Sequence, residues 1–208
     1  HSGATGYGSE ISSGPFFLGT QPVNGKNLLI YGENSEGPDL WKTDGTAAGT
    51  SRVKQISEAG AQNTYFFLAA STTKGALFST LTLPDFLNEL WVSDGTAAGT
   101  KVVPNIAAPY RDYPQSWYWA ESSGVIYFQA QGEDTGYELF KSDGTVAGTT
   151  LVKDIEPGDG DSDPWYLTML GNEVYFQAND GSHGAELWKS DGTAAGTVLV
   201  KDINTGVE

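Results

Sequence analysis

Apolar and polar positions alternate along this chain in short runs, and the same set of runs returns at regular intervals. The last set has four runs, at residues 165–170, 174–178, 186–190 and 197–203. Val, Tyr, Phe, Leu and Trp dominate them, and these residue types favour strands. Gly171-Asn172 between the first two runs predicts a tight hairpin turn. No run shows a helical period, so the pattern predicts strands alone.

One motif explains the regularity. It reads Leu-Trp-Lys-Thr-Asp-Gly-Thr-Ala-Ala-Gly-Thr at residues 40–50, and related copies occupy residues 90–100, 139–149 and 187–197. The shared aspartates lie 50, 49 and 48 residues apart; they are Asp44, Asp94, Asp143 and Asp191. Residues 125–155 and 173–203 align without gaps. Four predicted strands at such a period are typical of a propeller blade.

The repeat predicts an all-β fold, a β-propeller of four four-stranded antiparallel blades. The predicted blades span about residues 15–57, 64–107, 116–156 and 164–204. A β-prism, a trefoil and a β-solenoid are the competing architectures, but a trefoil has three copies and a β-helix a shorter period. An open row of blades would expose sheet edges, so the ring either closes at four or is completed by another chain. Closure at four is the favoured expectation.

The N-terminal segment, residues 1–14, is predicted to stand apart from the blades. Residues 4–11 resemble the last strand of a blade, such as residues 149–155, and could supply an extra strand. That strand could belong to a preceding blade or pair with another molecule. Self-association through residues 1–14 is therefore one expectation.

Charge and composition narrow the partners. The chain has 11 Lys and Arg against 26 Asp and Glu, a net charge of −15. Such a chain repels phosphate, so nucleic acid and anionic membrane surfaces are not expected partners. Cysteine is absent, which excludes disulfides and thiol catalysis. No apolar run reaches the length of a membrane span, so membrane insertion is not expected.

The motif also carries a family resemblance. The pattern Glu-Leu-Trp-x-x-Asp-Gly-Thr-x-x-Gly-Thr, at residues 89–100 and 186–197, resembles repeats of large secreted or surface-anchored bacterial proteins described as hyalin-like or as propeller repeats. The strand plan is similar to TolB-type blades, and the Asp-Gly-Thr turn resembles the Asp-box turn of sialidase-like propellers. The resemblance covers about residues 15–203. It implies a bacterial extracellular or cell-surface setting, whereas the repeats themselves serve many functions.

Because the four turn aspartates recur in every copy, we interpret them as structural, each bonding its own turn. Function is expected in the loops where the copies differ. One such loop carries Asp159, Asp161 and Asp163 at alternate positions, an arrangement that predicts a calcium site because hard oxygen ligands can converge there. The distal glutamate of an EF-hand is missing, since Leu170 stands at its position. Calcium is thus the one predicted cofactor.

The first residue of the third strand is acidic in every copy, and these residues are Asp39, Glu89, Glu138 and Glu186. They form either structural hydrogen bonds or a ring of carboxylates around a ligand. Aromatic residues enter the first strand at one shared position, occupied by Phe16, Tyr65, Trp117 and Trp165. Those rings either fill a narrow centre or stack on sugars.

The densest aromatic stretch, residues 110–119, is where a ligand is first expected. The predicted ligand-binding residues are Tyr65, Tyr110, Tyr113, Trp117, Trp119, Trp165, Glu138, Glu186 and His183. No catalytic residue is assigned, because no nucleophile elbow, phosphate loop or metalloprotease motif occurs.

Three functions remain open at this point. The first is a non-enzymatic extracellular binding or adhesion module that recognises a glycan or a cell-surface partner through variable loops. The second is a self-assembling structural or filament subunit. The third is a polysaccharide hydrolase or lyase, for which Glu138 and Glu186 would be the acid and base.

Overall fold

The computed structural model describes residues 9–10, 16–18, 21–31, 38–56, 63–83, 87–107 and 119–205, and all regular elements in these ranges are β-strands. In chain order the strands are β1 (Ser9–Glu10), β2 (Phe16–Phe17), β3 (Asn27–Tyr31), β4 (Asp39–Thr43), β5 (Ser51–Gln55), β6 (Asn63–Ser71), β7 (Ala76–Leu83), β8 (Leu87–Ser93), β9 (Lys101–Val102), β10 (Ile106–Ala107), β11 (Trp119–Ser122), β12 (Val125–Gly132), β13 (Tyr137–Ser142), β14 (Thr150–Lys153), β15 (Trp165–Leu170), β16 (Glu173–Asn179), β17 (Ala185–Ser190) and β18 (Val198–Lys201). The described part of the chain has no helix long and apolar enough to cross a membrane.

The strands form four antiparallel sheets, one for each copy of the repeat. The first sheet has the order β2-β3-β4-β5 and the second β1-β6-β7-β8-β9. In the third, β10 and β11 both pair with β12, which is followed by β13 and β14; the fourth has the order β15-β16-β17-β18. The all-β prediction with one four-stranded antiparallel meander per copy is confirmed. Closure of these sheets into a propeller stays a prediction.

Two short strands lie outside the simple meander. β10 was expected in the second blade, residues 64–107, but it pairs with β12 of the third sheet. The chain leaves the second sheet at Pro104, which has no amide hydrogen for a ladder, and at Asn105, whose φ of 61° is left-handed. β1 lies within residues 1–14 and pairs with β6 of its own chain. Self-association through residues 1–14 stays a prediction.

The chain divides into two compact units, of which the first contains β1–β9 and the second β10–β18. Each unit has its own apolar core between two sheets. In the first unit the core comprises Leu18, Val23, Leu28, Ile30, Leu40, Ile56, Ala76, Phe78 and Trp91. In the second it comprises Ala120, Tyr127, Leu139, Val152, Ile155, Leu167, Val174, Phe176, Ala178 and Trp188. Burial of these side chains supplies the main stabilising force in each unit.

The motif builds the same turn in all four sheets, and the fourth copy shows it well. Asp191 Oδ1 accepts hydrogen bonds from Thr193 N at 2.9 Å and from Thr193 Oγ1 at 2.7 Å. Gly192 has a φ of 86°, and Thr197 Oγ1 lies 2.7 Å from Ser190 Oγ. The same aspartate–threonine bonds occur at Asp44, Asp94 and Asp143. The structural interpretation of the turn aspartates is therefore confirmed.

Candidate ligand-binding loops

Hydrogen bonds join three loops of the second unit, which we term the loop cluster: residues 133–136, 154–164 and 180–184. Gly136 N donates to Gly158 O at 3.2 Å, which ties the first loop to the second. Asn179 N, just before the third loop, donates to Ser162 O at 2.9 Å. Gly136 permits the close approach, because a Cβ there would lie 1.9 Å from Gly160 O. The long middle loop is thereby held between its two neighbours.

Glu138 is the anchor of the middle loop. Its side chain is fully buried at the start of β13, and four donors surround it. Ile155 N at 2.9 Å and Ser162 Oγ at 2.6 Å donate to Oε2. Glu156 N and Ser162 N donate to Oε1, each at 3.2 Å. Both ends of the middle loop are thus fastened to one carboxyl group.

Burial raises the pKa of Glu138 to about 7, although the four hydrogen bonds act in the opposite direction. A carboxyl group with such a pKa is often functional. Here all of its accepting positions face donors of the protein, and no part of the side chain reaches solvent. The geometry suits a structural hydrogen bond, the first of the two interpretations made from the sequence.

Glu186 repeats this role in the fourth sheet. It is buried at 4% exposure and accepts hydrogen bonds from Ile203 N and Asn204 N, both at 2.8 Å. Asp39 differs, because it forms an ion pair with Arg52 at 2.6 Å. Glu89 occupies the shared acidic position in the second sheet, and burial raises its pKa. In the sheets where its partners are described, the acidic residue at the shared position therefore forms hydrogen bonds or an ion pair with other residues of this chain.

The three loop aspartates do not gather around a common point. Asp161 Oδ1 accepts a hydrogen bond from Tyr137 N at 2.8 Å. Asp163 Oδ1 accepts one from Gln129 Nε2 at 2.9 Å, and Asp159 is exposed. Among the described residues, no group of three or more His, Cys, Asp or Glu side chains is placed to hold a metal ion. The calcium site stays a prediction that this geometry does not support.

An aromatic pair follows the middle loop. Trp165 is half-buried opposite Gln177 in β16, and its ring centroid lies 6.3 Å from that of Tyr166. A bulge between Trp165 and Thr168 interrupts the pairing. Tyr166 lies in this bulge with a φ of 58° and with 49% of its surface exposed. A bulky residue in this conformation is strained, and such strain is found most often at functional sites.

The third loop carries the predicted His183. Its Nδ1 lies 2.8 Å from Asp180 Oδ2, and its backbone N donates to Asp180 Oδ1 at 2.9 Å. The hydrogen bond to Asp180 raises the pKa of the exposed His183 imidazole. This loop therefore presents a hydrogen-bonded histidine–aspartate pair to solvent.

The other predicted ligand-binding residues are spread more widely. Trp119 is half-buried and pairs with Phe128 in the third sheet. Tyr65 occupies β6, where its backbone lies between Glu10 and Leu81. Tyr110, Tyr113 and Trp117 lie outside the described residues, so the densest aromatic stretch stays a prediction.

Sequence reasoning missed Tyr166, Asp180 and Ser162. Strict alternation along β15 would place Tyr166 and Trp165 on opposite faces of the sheet. Nothing in the local sequence indicates the bulge in which Tyr166 lies. Asp180 could have been recognised, because Asp-Gly-Ser-His is a suitable sequence for a side-chain-capped turn.

No protein-family model and no curated protein sequence matches the chain. Among solved structures, it is similar to puromycin hydrolase and to the S511A mutant of puromycin hydrolase complexed with PGG. Each is 14% identical with a TM-score of 0.47, and the match covers 91% of this chain but 29% and 30% of those chains. The chain thus spans under a third of these proteins, and a likeness at this level carries no argument about function.

Proposed function

We propose that this chain is a non-catalytic binding module and that the loop cluster, together with Trp165 and Tyr166, binds a neutral or cationic ligand, of which a glycan is the best fit. The observation that carries the proposal is Tyr166, an exposed aromatic residue held at a strained φ of 58° beside a second aromatic ring. The strained backbone that exposes this ring to solvent lowers the free energy of unfolding. A binding surface accounts for that cost.

The chemistry around Tyr166 suits a sugar. Aromatic faces pack against apolar surfaces, while tyrosine and tryptophan also supply a polar tip. The neighbouring loops add the exposed carboxylate of Asp159 and the polar pair of His183 and Asp180. A few placed polar groups next to apolar surface are the usual composition of a ligand site. The net charge of −15 disfavours anionic ligands and leaves neutral and cationic ones.

The two acids on which the hydrolase alternative depends, Glu138 and Glu186, do not support it. Glu138 and Glu186 are both buried and both accept backbone hydrogen bonds. A general acid has to come within hydrogen-bond reach of its substrate. The same residues serve a binding module well, because they fix the loops that present the ligand surface.

A location outside the cell or on a bacterial surface completes the proposal. It rests on the resemblance of the repeat to secreted and surface-anchored bacterial proteins. The cell-surface partner in that setting would be a polysaccharide or a glycosylated protein.

The proposal is tested by screening the chain on arrays of neutral, amino and uronate polysaccharides, followed by calorimetry on each positive. We expect the Tyr166→Ala variant to bind roughly two- to tenfold more weakly, the loss expected when one aromatic contact is removed. Leu151→Ala is the matched control, because Leu151 is an exposed apolar residue of the third sheet, 36% exposed, outside the loop cluster. Silence across the array, or equal affinity in the two variants, overturns the proposal.

Calcium is examined in the same calorimeter. The sequence predicts heat on addition of CaCl₂ that disappears in Asp161→Ala, and a flat titration of the unmodified chain removes calcium from the proposal.

A further inference from the structure

The tight turn before β3 contains a residue pair that occurs once in the sequence. Residues 23–26 read Val-Asn-Gly-Lys, and Asn24-Gly25 is the only Asn-Gly pair of the chain. Val23 and Lys26 exchange both backbone hydrogen bonds, at 2.8 and 3.0 Å. The two residues between them have φ of 49° and 75°, and positive φ at both positions is typical of a type I′ turn.

The side chain of Asn24 joins the first sheet to the second. Its Nδ2 donates to Asp94 O at 3.0 Å, and its backbone N donates to Thr73 O at 3.4 Å. Lys42 Nζ donates to the next carbonyl along, Gly95 O, at 3.2 Å. Two adjacent carbonyls in the Asp-Gly-Thr turn of the second sheet therefore accept hydrogen bonds from side chains of the first sheet.

The backbone nitrogen of Gly25 is open. Asn24 and Gly25 are both exposed, and no atom lies within 4 Å of the place that a Cβ of Gly25 would take. Within the described ranges, no group accepts a hydrogen bond from Gly25 N. This nitrogen thus lies directly beside an asparagine side chain with no acceptor to hold it.

The third sheet has the same turn with the nitrogen held. Ser123 and Gly124 have φ of 55° and 79°, and Gly124 N donates to Glu121 Oε1 at 3.1 Å. The residue of the first sheet that corresponds to Glu121 is Pro22, which has no side-chain acceptor. The first sheet therefore combines the reactive residue pair with the unprotected nitrogen.

We propose that Asn24 is a site of spontaneous deamidation, in which water converts its carboxamide to a carboxylate by way of a cyclic imide. Gly25 N loses its proton and attacks Asn24 Cγ, so an N–Cγ bond forms. The Cγ–Nδ2 bond breaks, and Nδ2 leaves as ammonia with that proton. Water then opens the imide at Cγ to give aspartate, or at the backbone carbonyl to give isoaspartate. No electrons are transferred, and water is the one co-reactant.

Deamidation exchanges a donor for an acceptor at the contact between the first and second sheets. The hydrogen bond to Asp94 O is lost, and a carboxylate oxygen takes the place of the amide nitrogen opposite that carbonyl. The reaction also adds a negative charge to a chain whose net charge is −15. We therefore expect the modified chain to hold these two sheets together less firmly. This inference does not involve the loop cluster and is independent of the proposed function.

Peptide mass mapping tests the reaction after the folded chain is kept in warm, mildly alkaline buffer made with water enriched in heavy oxygen. We expect aspartate and isoaspartate at position 24, each carrying one heavy oxygen atom, and isoaspartate methyltransferase detects the second product. Asn105 is the internal control. It is exposed with a φ of 61°, and its Nδ2 donates to Glu133 Oε2 at 2.6 Å, but the β-branched Ile106 follows it and hinders attack.

Asn24 should lose its carboxamide while Asn105 keeps its own. Equal conversion at the two positions overturns the proposal. So does an unmodified Asn24 in the folded chain under conditions that convert it in guanidinium, because the turn would then protect the residue.

Pro22→Glu tests whether the open nitrogen matters, because it supplies the acceptor that Glu121 provides in the third sheet. One such hydrogen bond should slow conversion roughly fivefold. Pro22→Ala is the matched control, and both variants should fold because Pro22 is exposed. Equal rates in the two variants overturn this account of the site.

Asn24→Asp reproduces the main-chain form of the product. We expect the equilibrium constant of unfolding in urea to rise roughly two- to fivefold, because one exposed hydrogen bond is lost. Asn24→Gly loses the same bond without adding charge, suits the left-handed turn, and should show no mass change at position 24. Stability equal to that of the unmodified chain in Asn24→Asp overturns the expected loosening of the two sheets.

Discussion

Lys153 Nζ lies 5.5 Å from the ring centroid of Trp188, over its face, and donates a hydrogen bond to Thr197 O. We expect Lys153→Ala to lower the free energy of unfolding by roughly 1–2 kcal/mol, because it removes a half-buried cation–π contact together with a charge-assisted hydrogen bond. Urea denaturation measures the change. Lys201→Ala is the matched control, since Lys201 is the aligned lysine of the fourth sheet and is exposed. Equal losses in the two variants would contradict the interpretation.

Gly196 has no room for a side chain, because a Cβ there would lie 2.1 Å from Asp191 Oδ1. Gly196→Ala must displace the carboxylate that holds the turn, and we expect it to cost roughly 2 kcal/mol. Asp191→Ala also loses the turn bonds, so the double variant should be less destabilised than the sum of the two single variants. Ala195→Ser, an exposed change in the same turn, should be nearly neutral. Thermal unfolding of the four variants measures this, and strict additivity would contradict the clash.

Glu138 predicts a pH dependence of stability. Its carboxyl ionises near pH 4.5 when unfolded, whereas its folded pKa is about 7, so between these values the folded chain holds a proton that the unfolded chain has lost. Stability from this group is therefore complete below about pH 4.5 and is lost as the pH rises through 7, by about 3 kcal/mol at most.

The Glu138→Gln variant isolates that contribution. Glutamine cannot titrate, so the decline between pH 5 and 7 should flatten, whereas overall stability should fall by roughly 1–2 kcal/mol because an amide cannot accept all four hydrogen bonds. Urea unfolding at several pH values measures both effects. An unchanged slope in the variant would show that another group causes the decline.

His183 and Asp180 predict a shifted titration. The hydrogen bond to Asp180 holds the pKa of His183 above the 6.5 of a free imidazole, so proton NMR should place the midpoint of its ring resonance above that value. Asp180→Asn should move the midpoint down toward that of a free imidazole, because the amide carries no charge. Ser182→Ala serves as the control, since only its backbone N contacts Asp180. Identical midpoints in the chain and in Asp180→Asn would contradict the pairing.

Much of the fold could be predicted because the third and fourth copies align without gaps. The prediction for residues 165–170 coincides with β15, and that for residues 186–190 differs from β17 by one residue. The turn was predictable too, since the hydrogen bonds that form its corner lie within one motif. Local sequence determines such features, and each of the four copies of the repeat contains the same local sequence pattern.

The candidate site was harder to predict, because it depends on contacts between distant residues. Glu138 and Ser162 are 24 positions apart, and no spacing rule joins them. The bulge at Tyr166 arises from strand register, which the alternation pattern does not contain. The three aspartates of the middle loop match a calcium pattern in sequence, whereas the backbone turns Asp161 and Asp163 toward amide donors.

The Asp-Gly-Thr turn has a consequence for how the gene could change. The hydrogen bonds that form the corner at Asp143, between Ser142 and Thr149, lie inside eight consecutive residues. A duplicated copy therefore brings the internal hydrogen bonds of its own corner with it. Unequal recombination between copies can lengthen or shorten such a chain while each surviving corner still folds, so copy number is a trait on which selection can act freely.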